Sequence, residues 1–131
     1  MLVYRFEGQT GDGPYVDYVC RQVLSKHSEY GYDRKHQPGP YRDLPADERG
    51  KIDINLARFA CISVEQLMTW WNNSAANTEL EHAGTKIAIY SVPDEHLAIG
   101  KKQVAFNKKH GKKVGTMKIS DVERVMYYSC L

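Results

Sequence analysis

The chain has 131 residues, 42% hydrophobic and 26% charged, with 18 basic residues against 16 acidic and a formal net charge of +2. That length makes a single domain able to bury about two thirds of its unfolded surface, and the composition is that of a folded globule, not a disordered segment. So small a net charge gives no argument for nucleic-acid binding, and no run approaches the ~18 apolar residues of a membrane span. The opening LVYRFEGQ lacks a basic n-region and an apolar h-region, so a cytoplasmic location is expected. Cys20, Cys61 and Cys130 are an odd count without CxxC spacing, which argues against a disulfide framework or a zinc site.

Leu2 to Glu7 alternates Leu2, Tyr4, Phe6 against Val3, Arg5, Glu7 and reads as an opening strand. The glycine-rich GQTGDGP of residues 8–14 ends it in a turn, and Pro14 suits the first position of a helix with Asp12 or Gly13 near the cap. Val16, Val19, Cys20, Val23 and Leu24 then recur at helical spacing, to near Lys26. From His27 to Gly50 apolar periodicity disappears and tyrosines, charges, histidines, prolines and glycines take over. A loop of this length is beyond the usual ~12–15 residues and is either functional or disordered; Tyr30, Tyr32 and Tyr41 favour order. Residues 53–59 fit a short helix or an extended segment equally well.

The firmest local signal lies in FACISVEQLMTWW, residues 59–71. Ser63 and Gln66 form a capping box, Ile62 and Leu67 occupy the positions of a hydrophobic staple, and Val64, Leu67, Met68 and Trp71 make one helix face. Ser74 or Asn77 can cap a second helix through His82, with Gly84 at C′. KIAIYSV, residues 86–92, reads as a central strand stopped by Pro93. KQVAFN (102–107) and KKVGTMKI (112–119) read as two strands of a hairpin turning at His110-Gly111, and Ser120 with Glu123 as a capping box opening a last short helix. The order predicts a single α+β domain over 1–131, with a mostly antiparallel sheet, three to four helices and a long ordered loop.

Most of the candidate chemistry has a bland alternative. GQTGDGP sits between a strand and a helix, where amides can cradle a phosphate, but it matches no phosphate-binding fingerprint and Asp12 repels an anion, so a plain turn is expected. His36 lies beside Arg34, Lys35 and Arg42 and between Tyr32 and Tyr41; such a cluster suits a phosphorylated ligand, a protein interface or a solvated loop. The histidines lack HxxxH or HExxH spacing, so no metal is expected. The acidic pairs Asp47-Glu48 and Asp94-Glu95 are read as solvated loop residues, and six lysines between Lys101 and Lys113 as edge protection or a phosphate-attracting face.

LVYRFE…GDGPY, HQPGPYRD, FACISVEQLMTWW and IAIYSVP…IGKKQVAF together resemble a group of small uncharacterised bacteriophage proteins, over most of the chain. That resemblance implies a place in the host-cell cytoplasm and an accessory role in host takeover or anti-defence, without an assigned activity. At fold level, an arginine on the first strand and a Gln opening a late strand resemble the ADP-ribosyltransferase arrangement. The analogy implies that Arg5 holds the phosphates of NAD and that Gln103 stands at the catalytic-acid position, although an amide lacks the carboxylate's charge and no Ser-Thr-Ser strand follows Tyr90-Ser91.

Two functions are therefore expected of the same residues. In the first, a nucleotide-like ligand occupies a cleft between the first strand and the 30–45 loop, with Arg5, Arg34 and Arg42 on phosphates, Tyr41 stacking, His36 nearby and Gln103 on a ribose. In the second, the Tyr/Arg-rich loop binds a host protein without catalysis. Nucleic acid is a weaker expectation, resting on the lysine-rich hairpin.

Overall fold

The structure is a computed structural model describing the backbone of residues 1–27 and 38–129 and, within these, the side chains through residue 126. It is the expected α+β architecture, with two antiparallel three-stranded sheets among the described residues. The first sheet has the order β1 (Leu2–Glu7), β3 (Lys86–Ser91), β6 (Lys112–Met117). The second has the order β2 (Ala57–Ala60), β5 (Val104–Asn107), β4 (Ala98–Ile99). One bridge stitches them: Tyr4 and Cys61 exchange both backbone hydrogen bonds at 2.8 Å.

Side chains alternate across a strand, so each sheet has two faces to cover. Phe6 and Ile87, paired in register, face the helices with Leu67, Leu80 and Ile119. Val3, Ala88 and Tyr90 face the other way and pack between the sheets against Ala60, Val104 and Phe106. The outer face of the second sheet is closed by Leu44, which packs with Ala98 and Ala105. The layers run helices, sheet, sheet, strap.

Among the described residues the helices are α1 (Tyr18–Lys26), α2 (Pro40–Asp43), α3 (Ala46–Arg49), α4 (Val64–Trp70), α5 (Ser74–His82) and α6 (Ile119–Ser129). They outnumber the three to four expected because α2 and α3 are single turns inside the long loop. At α4 the Ser63 hydroxyl accepts from the Gln66 amide at 3.0 Å, as the capping box requires. The Gln66 side chain reaches back one residue further, accepting from the Ile62 amide at 2.9 Å. Ile62 itself is 44% exposed, so it forms no buried staple with Leu67. After α5, Gly84 adopts φ +97 at C′ and the Thr85 amide returns to the Leu80 carbonyl, a Schellman closure.

Four expectations are corrected. Asn73, not Ser74 or Asn77, caps α5, accepting from the Ala76 amide at 3.0 Å. Asp17, not Asp12 or Gly13, caps α1, accepting from the Cys20 amide, because residues 13–17 close a separate turn on the Gly13 carbonyl. Val16 and Val19 consequently lie outside the buried stripe. At the last helix Ser120 is already helical, and its amide is capped from outside by Glu81 at 2.9 Å. Finally, β5 and β6 form no hairpin: β5 lies in the middle of the second sheet and β6 at the edge of the first. All four β5 residues are buried, which demands a neighbour on both sides, whereas β6 is largely exposed and suits an edge. Of the six lysines, Lys112 and Lys113 lie on β6 and the other four in the connections on either side of β5.

The stretch from residue 38 to 50 is a strap fastened by carboxylates. The Asp43 carboxylate accepts from the amides of Lys101, Lys102 and Gln103 at 3.0–3.2 Å, and Glu48 accepts from the Ile99 amide of the β4 edge at 2.9 Å while pairing with Lys51 at 2.7 Å. Glu48, expected as a solvated loop residue, is thus structural, and those bonds hold its carboxyl below the ordinary range. Gly100 must be glycine here, since a Cβ would overlap the Asp43 carboxylate. Hydrogen bonds to a charged group contribute about 1.5–3 kcal/mol each, partly shared when they converge. Asp43→Ala should therefore cost about 2 kcal/mol in urea unfolding and speed hydrogen exchange at residues 101–103.

Candidate functional site

The inward face of β1 carries Val3, Arg5 and Glu7, so two charged residues enter the layer between the sheets, 7% and 4% exposed respectively. The Glu7 carboxylate gathers partners from three other strands. The Tyr90 hydroxyl of β3 donates to Oε2 at 2.6 Å, Arg58 of β2 lies 3.4 Å from the same oxygen, and Lys113 of β6 stands 2.7 Å from Oε1. Arg5 Nε approaches Oε2 to 3.0 Å, out of line for a hydrogen bond, so charge holds that pair. Burial lowers the Arg5 pKa against the opposing pull of Glu7; pairing with Glu7 raises that of Lys113; burial, then the Glu7 bond, raises that of Tyr90.

The far side of Arg5 opens into a cleft of about 590 Å³. Its floor is Arg5 and Phe6 of β1; one wall is residues 12–16 after the glycine turn, another the outer end of β2 with Arg58 and Phe59, a third the end of α4 with Trp70 and Trp71. Residues 38–40 and Gln103 complete the rim. Trp71 stacks on Phe6 at a centroid distance of 5.2 Å and touches Tyr15 at the same distance. The Arg5 guanidinium donates from NH1 to the Phe59 carbonyl at 3.4 Å, and glycine at position 13 leaves room for NH2, which lies 3.0 Å from where a Cβ would be. Arg58 is tied to the Gly11 carbonyl at 3.1 Å. The cleft is mostly apolar, with two fixed guanidinium groups at one end.

Of the residues singled out from the sequence, Arg5 and Gln103 both line this cleft. Gln103 is buried, and its Nε2 donates to the Pro38 carbonyl at 2.8 Å, joining the strap to β5. Tyr41 and Arg42 are exposed on the strap and are not among the lining residues. Arg34 and His36, like Tyr30 and Tyr32, lie outside the described residues. Sequence reasoning missed Glu7, Arg58, Tyr90 and Lys113. The available signal was the alternation itself, which puts Glu7 and Arg5 on the same face as Val3.

The glycine turn makes room for other groups. Gly11 supplies φ +85, and a Cβ on Gly8 would meet the Asp17 carboxylate at 2.5 Å. Asp17 also accepts from Thr10 at 2.9 Å; the Cys20 amide foremost, then Thr10, hold its carboxyl low despite burial. Burial pushes the thiols of Cys20 to about 11 and Cys61 to about 12, so both are protonated at neutral pH and poor nucleophiles. His96 and His110 stack face to face at 3.6 Å, and among the described residues no group of three or more metal-ligating side chains forms. No described helix is long and apolar enough to cross a membrane.

A family model described as bacteriophage T4 Y00F protein matches residues 1–120. The chain belongs to that family. Every residue of the cleft and of the Glu7 cluster falls within the span shared with the Y00F family. No curated protein and no solved structure matches the chain.

Removing Glu7 leaves Arg5 buried beside Arg58 without its carboxylate, and breaking a buried pair in this way costs about 3–5 kcal/mol. Glu7→Ala should lower chemical stability by that amount, whereas Lys113→Ala, at the exposed end of the cluster, should cost less than half as much. Asp17 makes a pH-dependent contribution: its depressed folded pKa stabilises the protein above the ordinary value of 3.8, and that stability is lost as pH falls through the folded value. Asp17→Asn should be less stable at neutral pH and show a flatter loss of melting temperature on acidification.

Proposed function

We propose that this phage protein is an accessory factor of host takeover or anti-defence that recognises a nucleotide-like, phosphate-bearing ligand in the cleft. The observation that supports it is Arg5, a buried guanidinium held on a carboxylate and facing an apolar, aromatic-walled space. A guanidinium fork suits phosphate oxygens, and an aromatic wall suits a base. The volume lies in the ordinary range of about 300–1,000 Å³ for small-molecule sites. In this reading Arg5 and Arg58 take the phosphate and Phe59 and Trp70 flank the base. Gln103, a neutral amide engaged at the Pro38 carbonyl, is suited to a ribose hydroxyl and poorly to an oxocarbenium-like centre. Binding is therefore favoured over ADP-ribosyl transfer, with NAD one ligand to test.

A second reading, an adaptor for a host protein, is supported by a different observation. The Tyr41 ring is 67% exposed with the Arg49 guanidinium 5.2 Å above its centroid. Exposed Tyr and Arg together are common interface anchors.

Both tryptophans line the cleft, so intrinsic fluorescence reports its occupancy. Titration with NAD, ADP-ribose and cyclic nucleotides, beside thermal unfolding, should give quenching with at least one ligand. Stabilisation should reach about 2.7 kcal/mol at one hundred times the dissociation constant. Arg58→Ala, which leaves Glu7 paired with Arg5 and Lys113, and Arg5→Lys, which keeps the positive charge, should lose the response. No response to any of them, with a host protein captured by the wild type and lost in Tyr41→Ala but not in Arg58→Ala, would replace this reading with the adaptor.

A further inference from the structure

The charges around the cleft restrict the ligand more narrowly than the word nucleotide does, and this step rests on the reading above. Among the described residues lining the cleft, the cations are Arg5 and Arg58. Both already lean on Glu7, whose other oxygen is occupied by Lys113. Asp12 lines the same cleft, exposed at its mouth and held near the glycine turn by the Thr10 hydroxyl. Three cations against two carboxylates leave this end of the cleft one unit positive. The remaining walls are aromatic or aliphatic, or carry neutral amides such as Asn55 and Gln103.

One excess positive charge in a largely apolar cleft complements one negative charge on the ligand. A second phosphate would meet either an apolar wall or the Asp12 carboxylate, and among the described lining residues it would have no further cation to face. We propose that the cleft selects nucleosides carrying a single, singly charged phosphate ester, as in a cyclic nucleoside monophosphate, and discriminates against di- and triphosphates. Asp12 is the residue that sets this limit, by repelling additional charge at the mouth. The base is accommodated by stacking on Phe59 and Trp70, which reads the flat face of the ring and so tolerates different bases.

The test is a fluorescence titration near neutral pH, without divalent cations and at fixed ionic strength, using cyclic AMP, cyclic GMP, AMP, ADP and ATP. Cyclic AMP or cyclic GMP should bind about tenfold more tightly than ADP, with ATP weaker again, a difference set by charge alone. AMP, whose phosphate carries about −1.5 to −2 at neutral pH, should fall between them. Asp12→Asn, at an exposed position, should raise affinity for ADP and bring it to within about threefold of the cyclic ligands. Independently of any variant, added salt should narrow the gap between cyclic AMP and ADP in the wild-type protein, because repulsion at an exposed carboxylate is screened.

ADP or ATP binding as tightly as the cyclic ligands would overturn the charge limit while leaving the nucleotide reading standing. So would an Asp12→Asn protein with unchanged preferences. Absence of binding by all five ligands, together with silence toward NAD and ADP-ribose, would remove the nucleotide reading itself.

Discussion

A carboxylate placed between two β-sheets is costly unless charge and hydrogen bonds replace the water it loses. Glu7 is such a group, and its partners come from every part of the sheet framework: Arg5 from its own strand, Tyr90 and Lys113 from the other strands of the first sheet, Arg58 from the second. The cluster joins the two sheets. Val3, Val104 and Phe106 fill the interlayer by burial, and Phe106 reaches the charge cluster itself through its ring contact with Tyr90. A pair of apolar residues could fill the same volume, but would not present guanidinium groups to a cleft.

The cleft follows from that arrangement. An arginine loses considerable side-chain entropy when ordered. Arg5 loses it on folding, because Glu7 and the Phe59 carbonyl already hold its guanidinium. The aromatic wall is equally set in advance: Trp71 is stacked between Phe6 and Tyr15. On the other side the strap is anchored by Asp43, Glu48 and the Gln103–Pro38 bond, so the rim is built from backbone groups whose positions are determined by hydrogen bonds. Rigid walls of this sort lower the cost of binding.

Local signals were legible wherever a residue's role depends on near neighbours. The opening strand, the Ser63 cap, the Gly84 C′ position and the KIAIYSV strand needed only propensity, spacing and hydrogen-bond geometry within a few residues. The misreadings share a different cause. The expected hairpin joined two adjacent strands, yet burial on both faces of β5 sends it to the centre of another sheet. Ser120 has the spacing of a cap, but Glu81, thirty-nine residues earlier, reaches the helix end first. Asp47-Glu48 looked like solvated loop charge until the β4 edge supplied an amide for Glu48.

By itself the sequence determined the α+β class and most strand and helix positions. Those inferences rest on periodicity and short-range bonding, which one chain encodes locally. Tertiary structure alone decided that Arg5 is locked to Glu7, that Arg58 stands beside it, and that Gln103 secures the strap at the rim where Arg5 forms the floor. Residues 5, 7, 90 and 113 meet by strand pairing within the first sheet, Arg58 joins them only when the second sheet stacks on it, and the charges facing the cleft emerge from that assembly rather than from any stretch of the chain.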